Sequence, residues 1–448
     1  MASTPAHAIM TMTIPAITAS PFIGKLLRLI SSFFKLAHRE SPQSRYPVKF
    51  PKPERGILFQ GVSMAKRIGI LTGGGDVPGL NSVIKGVVYR GTDIGYEVVG
   101  FRRGWEGLTH LNLSDRASRE HYLQTLTREN TRSIDRTGGT YLHSSRTNPK
   151  KMKKLPPHLT DTGFLTNENG TFDVSQSVEQ SLKDLDIDYL VAIGGDDTLS
   201  YAAHLNRLGV KVVCIPKTMD NDVRNTEYCI GFSTAITRAM DAVNRQRSTI
   251  GSHERVGIFR VFGRDAGYTA LYTAYVCSSR CGIPEFAFNL ERMVELLAAD
   301  KRNNPSNYCI VVLSEGAKWE GYQTQEYGEP DAFGHRKKMS VGEAFANEIT
   351  ARLKEETAVS DLTYDLRSGE ADFVDKMIAS TFAGMAVDTI QQGKSGLMTA
   401  IVNGCYAMSE IPDPKLGPRK VDSSMYNLER YRPTYNNKLG LPLFMTKP

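Results

Sequence analysis

The chain has 448 residues, 55 Lys+Arg against 48 Asp+Glu, a formal net charge of +7, and hydrophobic residues at 40%. That is the profile of an ordinary globular protein with room for two or three domains, not of a collagenous, low-complexity or charge-extended chain. No stretch of 18 apolar residues reads as a membrane span, no nucleic-acid-binding motif is present, and the modest basic balance points to small phosphorylated anions as partners. The six cysteines (Cys214, Cys229, Cys277, Cys281, Cys309, Cys405) form no CxxC pair, and although Cys277 and Cys281 are spaced to share a helix face, no further ligands stand at metal-site spacing. A reducing, cytoplasmic compartment is expected.

Residues 1–64 read as an extension. Met1 to Arg39 holds no Asp or Glu, and FIGKLLRLISSFFKL has the composition of a basic amphipathic helix. Its readings are a tail, an over-long start ahead of Met64, or a targeting segment, with a Pro-rich linker or subunit arm over residues 41–64. From Arg67 the pattern changes to apolar strands that end in glycine turns. Arg67 to Leu71 leads into Thr72-Gly73-Gly74-Gly75-Asp76 and a helix from Leu80, an order suited to cradling phosphate on backbone amides. A strand at Glu97 to Phe101 follows, then Gly138-Gly139-Thr140 and Ser144-Ser145-Arg146, then a polar loop over residues 147–173.

The centre is the stretch Asp188 to Asp222. A strand at Tyr189 to Ile193 ends in Gly194-Gly195-Asp196-Asp197-Thr198, and a second at Val210 to Ile215 ends in Pro216-Lys217-Thr218-Met219-Asp220-Asn221-Asp222. In a parallel sheet both turns lie at the carboxyl edge, where open α/β folds bind ligands. Four carboxylates, a lysine and tightly turned backbone suit a magnesium polyphosphate. Downstream, a helix at Gly231 to Arg245, a strand at Val256 to Val261 ending in Phe262-Gly263-Arg264-Asp265-Ala266-Gly267, and a strand at Tyr308 to Leu313 ending in Ser314-Glu315-Gly316 repeat the arrangement. A helix at Ala371 to Gln392, one strand over residues 398–408 and a polar, Pro-rich tail from Pro412 complete the chain.

GGDDT followed by PKTMDND, with TGGGDVPGLN ahead and FGRDAG behind, resembles the phosphofructokinase family, and more narrowly its pyrophosphate-using branch. The resemblance covers roughly residues 65–410. It implies two similar three-layer α/β/α lobes with mostly parallel sheets: a donor lobe from 65–231 plus about 366–404, and a sugar-phosphate lobe from 232–365 plus about 405–448. It implies Mg²⁺-dependent, reversible phosphoryl transfer from pyrophosphate to the 1-hydroxyl of fructose 6-phosphate, a step of glycolysis and gluconeogenesis, in a homodimer or homotetramer. Carried onto matching positions, Gly74, Arg146, Asp197 and Thr198 bind the donor and Asp196 faces the magnesium. Asp220 accepts the hydroxyl proton with Asp222, Lys217 and Arg264 beside it. Thr218, Arg255, Phe262, Gly263, Glu285, Tyr364 and Arg367 join Asp220 and Arg264 around the sugar phosphate, Arg255 reaching it from a neighbouring subunit. Phe262 stands where the family usually has Met.

Two positions carry the donor expectation. ATP-using relatives have glycine where this chain has Asp197 and Lys217. Asp197 places bulk and negative charge in the path of a nucleotide's α-phosphate and ribose, and Lys217 offers a cation to the end of a short donor. Rival readings are an ATP-dependent phosphofructokinase, an NAD or lipid kinase sharing a GGDG-type motif, and a non-catalytic regulatory subunit. Sedoheptulose 7-phosphate stays open as an acceptor.

Overall fold

The computed structural model describes residues 66–160, 170–323, 326–327 and 337–434. The expected N-terminal extension, part of the loop at 147–173 and the end of the tail lie outside these residues. In chain order the strands used below are β1 (Arg67–Thr72), β2 (Glu97–Phe101), β3 (Leu123–Leu126), β4 (Tyr189–Gly194), β5 (Val212–Pro216), β6 (Val256–Val261), β7 (Arg280–Gly282), β8 (Cys309–Ser314), β9 (Thr357–Asp361), β10 (Leu397–Val402) and β11 (Cys405–Glu410). The helices that position the site are α1 (Leu80–Asp93), α2 (Asp196–Arg207), α3 (Phe232–Ser252), α4 (Tyr268–Cys277) and α5 (Phe373–Gln391).

The strands form two sheets. The larger has seven strands in the order β11-β10-β5-β4-β1-β2-β3, parallel at its centre and closed at each edge by one antiparallel strand. The smaller has four strands in the order β9-β6-β8-β7, all parallel. This is the expected α/β architecture with mostly parallel sheets, although the two lobes differ in strand number. Continuous apolar runs are what parallel strands covered on both faces require. In β4, Leu190 and Ala192 join the cluster with Trp105 and Tyr201, while Val191 and Ile193 face the opposite core. That second core runs without interruption from the large sheet through α1, α3 and α5 to Ile258 and Val311 of the small sheet.

Three expectations are corrected. Residues 398–408 are not one strand but the hairpin β10–β11, with Asn403 (φ 51°) and Gly404 (φ 71°) as its two-residue turn. Asn-Gly supplies the two left-handed residues such a turn needs. Because β11 pairs with β10, residues 405–410 belong to the seven-stranded sheet, whereas the expected boundary parted them from residues 397–402. Cys277 ends α4 while Cys281 lies in β7, so they share no helix face. The tail is also more ordered than its polarity suggests. Tyr426 and Tyr431 are buried, Tyr426 Oη donates to the Cys281 carbonyl at 2.6 Å, and Cys281 N donates to the Tyr431 carbonyl at 2.8 Å.

One buried carboxylate joins the lobes. Asp375, fully buried in the first turn of α5, accepts from Tyr228 Oη (2.7 Å), Gly231 N (2.7 Å), Thr234 N (2.8 Å) and Thr234 Oγ1 (2.5 Å) at the start of α3. Removing the acceptor leaves buried donors unpaired, which costs far more than the net gain of making the bonds. Asp375→Ala is therefore expected to lower unfolding free energy by about 1–3 kcal/mol, read from the urea midpoint, and Asp375→Asn by less.

Candidate active site

The carboxyl ends of β1, β4 and β5 place three turns together. Gly73 and Gly194 leave no room for side chains because Thr198 stands between them: an added Cβ at Gly73 meets Thr198 Oγ1 at 2.5 Å, and one at Gly194 meets Thr198 Cβ at 2.2 Å. Gly74 has φ +79°, a left-handed conformation that glycine adopts without a Cβ penalty. Its N–H donates to the Ser145 carbonyl at 2.9 Å, and its carbonyl accepts from Ser144 Oγ at 2.5 Å. The expected donor segment containing Arg146 is thereby fastened to the first glycine turn, with Arg146 itself exposed beside it.

Lys217 is buried and directs its ammonium at that turn, donating to the Gly75 carbonyl at 2.7 Å. Burial, then the Arg367 charge, pulls its pKa down to about 8, so it stays mostly protonated at neutral pH. Asp196 and Asp197 occupy the first turn of α2, where the helix dipole favours negative charge. Burial, then Asp222 and Asp197, still push Asp196 up to about 6. Asp220 is pushed up to about 7 by burial, then by Asp222. Its backbone N–H donates to Thr218 Oγ1 at 3.2 Å. Asp222 is likewise raised, chiefly by burial.

From the small sheet, β6 and β8 deliver Phe262-Gly263-Arg264 and Glu315. Gly263 has φ +124°, and backbone bonds from Glu315 N to Val261 and from Gly316 N to Gly263, both 2.9 Å, hold the two turns side by side. Arg264, exposed, stands 3.7 Å from Glu315, whose charge in turn raises Asp220. Glu315 carries no role in the sequence reading. Its signal was there: an apolar strand ending in a carboxylate at the same sheet edge.

The structure therefore gathers Gly74, Asp196, Asp197, Thr198, Lys217, Thr218, Asp220, Asp222, Phe262, Gly263 and Arg264 around one edge. It sets Arg367 between the two groups of turns, and it does not gather Glu285, Tyr364 and Arg255 as expected. Glu285 is engaged elsewhere: its Oε1 accepts from Gly267 N and Val421 N, both at 2.9 Å, bracing the start of α4. Arg367 lies 4.5 Å over the Phe262 ring and donates to the Asp76 carbonyl at 3.1 Å, against the donor turn. Tyr364 is 77% exposed. Arg255 precedes β6 while Arg264 follows it, and Arg255 pairs with Glu356 at 2.8 Å.

Among the described residues no group of three or more His, Cys, Asp or Glu is disposed as a metal cage. Mg²⁺ does not need one, since it binds through one or two carboxylates and substrate phosphates. Asp196, raised by burial and then by Asp222 and Asp197, is suited to such a cation, which would relieve that repulsion.

A tight glycine turn, a buried lysine and clustered carboxylates are the parts of a phosphoryl-transfer site. The phosphofructokinase model matches residues 67–390, and the chain belongs to the phosphofructokinase family. A pyrophosphate–fructose 6-phosphate 1-phosphotransferase of Dictyoglomus thermophilum is 38% identical over 366 residues, 80% of this chain and 96% of its own. ATP-dependent 6-phosphofructokinase 3 of Streptomyces coelicolor is 32% identical over 367 residues, 80% of this chain and 98% of its own. The crystal structure of a pyrophosphate-dependent phosphofructokinase from Marinobacter aquaeolei shares the fold, with a TM-score of 0.64 at 21% identity over 83% of this chain and 89% of that one.

A base must be ionised to accept a proton, and Asp220, the base proposed below, has a pKa pushed up to about 7 by burial and then by Asp222. The kcat/KM for fructose 6-phosphate is expected to rise with pH and level off above about 7. Asp222→Asn removes a like charge, so the inflection in its pH–rate profile should move to lower pH.

Proposed function

We propose that the chain transfers a phosphoryl group from pyrophosphate to the 1-hydroxyl of fructose 6-phosphate, giving fructose 1,6-bisphosphate and phosphate. The observation that carries the donor choice is Lys217, buried and aimed at the first glycine turn 2.7 Å from the Gly75 carbonyl. A cation fixed there neutralises the end of a short polyphosphate, and Asp197 at the start of α2 opposes a longer nucleotide donor by charge and bulk. The pyrophosphate relative is also the more similar, at 38% identity against 32% for the ATP-dependent one.

In this reading the Gly73–Gly75 turn lies against the donor phosphates, and Lys217 and Arg146 hold them. Asp220 takes the proton of the sugar hydroxyl as its oxygen bonds to phosphorus. The bridging P–O bond breaks and phosphate leaves. Asp222 supports Asp220, Thr218 receives the Asp220 amide, and Arg264 faces the phosphate-bearing sugar. Magnesium bound at Asp196 supplies neutralisation of the charge that develops on the transferring group. Arg367, between Phe262 and the donor turn, stands where the transferring group passes from one lobe to the other. Because donor and product are both simple phosphates, the reaction runs in either direction. Arg255, away from this edge, acts on a site completed in a neighbouring subunit, which makes a homodimer or homotetramer the working assembly. Among the described residues no helix is long and apolar enough to cross a membrane.

Initial rates with fructose 6-phosphate, Mg²⁺ and one donor at a time test the proposal. Turnover is expected with pyrophosphate and at least tenfold less with ATP. Asp220→Ala should lower kcat by about two to four orders of magnitude, the contribution typical of a general base. Turnover with ATP alone would overturn the donor assignment.

A further inference from the structure

The catalytic turn is held from outside by a segment to which neither the motifs nor the proposed reaction assigns a task. Residues Gly417–Val421 lie along residues 219–227. Arg224 Nε donates to the Gly417 carbonyl at 2.8 Å. Arg419 N donates to the Asp222 carbonyl at 2.6 Å. The Arg419 guanidinium donates to the Asn221 carbonyl at 2.6 Å and to the Glu227 carbonyl at 3.2 Å. The same guanidinium lies 4.4 Å from the Tyr268 ring centroid. Tyr268 Oη donates to the Lys420 carbonyl at 2.6 Å, and Val421 N donates to Glu285 at 2.9 Å. This short strap therefore touches the Asp220–Asp222 turn of one lobe and, through Tyr268 and Glu285, the base of the Phe262–Gly267 loop of the other.

The turn needs such support. Asn221 sits at φ +53°, and its neighbours Asp220 and Asp222 repel each other. Its outward carbonyls are met one by one: Met219 by Thr269 Oγ1 at 2.8 Å, Asn221 by the Arg419 side chain, Asp222 by the Arg419 amide. A planar guanidinium can serve two carbonyls and stack on an aromatic face at once, which a lysine ammonium cannot.

We propose that Arg419 is a positioning residue for phosphoryl transfer, fixing the backbone of the Asp220–Asp222 turn against the sugar-phosphate lobe so that the Asp220 carboxylate meets the acceptor hydroxyl. It rests on the assignment of Asp220 as base. Arg419 touches no substrate, so its loss falls on kcat and not on binding. Misplacing a reacting group by about an ångström lowers rate by as much as a hundredfold.

The experiment compares wild type, Arg419→Ala, Arg419→Lys and Asp220→Ala with pyrophosphate, fructose 6-phosphate and Mg²⁺. For Arg419→Ala, kcat should fall on the order of tenfold or more, with both KM values within about threefold. Arg419→Lys should recover only a minor part. Millimolar guanidinium should restore part of the kcat of Arg419→Ala and none of that of Asp220→Ala. An unchanged kcat in Arg419→Ala, or a loss confined to KM with no response to guanidinium, overturns the inference. Should Arg419→Ala fail to fold, Tyr268→Phe decides: it removes the strap's bond at Lys420, and a kcat equal to wild type overturns the proposal. A wild type silent with pyrophosphate overturns the reaction assignment instead, whereas active wild type, inactive Asp220→Ala and undiminished Arg419→Ala overturn only the role of Arg419.

Discussion

The ammonium of Lys217, held out of water 2.7 Å from the Gly75 carbonyl, is the interaction on which the site depends. It ties the end of β5 to the glycine turn after β1 across the intervening strand β4. It brings a fixed cation to the glycine turn, and the same burial that strengthens its field lowers its pKa. Keeping a charge there requires carboxylates nearby, and Asp76 and Asp222 both act to keep it protonated. The carboxylates in turn crowd one another. The result is a site whose charges are balanced only approximately, as the proposed magnesium polyphosphate donor would require.

That imbalance has a thermodynamic consequence. Asp196 and Asp220 have folded pKa values near 6 and 7, above those of an unfolded aspartate. The folded state therefore binds these protons more tightly, and the stability this gives at low pH is lost as pH rises through those values. Function at neutral pH uses the ionised, less stable form. Elsewhere the fold offsets such strain with fully bonded groups, of which Asp375 with its four donors is the clearest. It fastens α5 to the start of α3, and so joins two lobes that share one apolar core.

Much of this was legible in the sequence. Apolar runs ending in glycine-containing turns located β1, β4, β5, β6 and β8, and the parallel-sheet rule put the ends of β4 and β5 at one edge. What escaped depends on long-range contact. Glu285 and Glu315 each follow an apolar stretch, and only the pairing of β6 with β8 shows that Glu315 faces Arg264 while Glu285 braces backbone. Arg367 was placed with the sugar, and only the fold shows that it touches both Phe262 and the Asp76 carbonyl. The Asn403-Gly404 hairpin had a local signal that a single apolar run concealed. Arg419 had none: it stands in a Pro-rich polar tail, and its carbonyl partners lie almost two hundred positions away.

The measurement that bears most directly on this account is the kinetic comparison of wild type with Lys217→Met, which keeps the stem and removes the charge. If the buried cation holds the donor, kcat/KM for pyrophosphate falls by at least about tenfold, as expected for losing a charge-assisted contact, while KM for fructose 6-phosphate stays within about threefold. Undiminished use of pyrophosphate by Lys217→Met would contradict it.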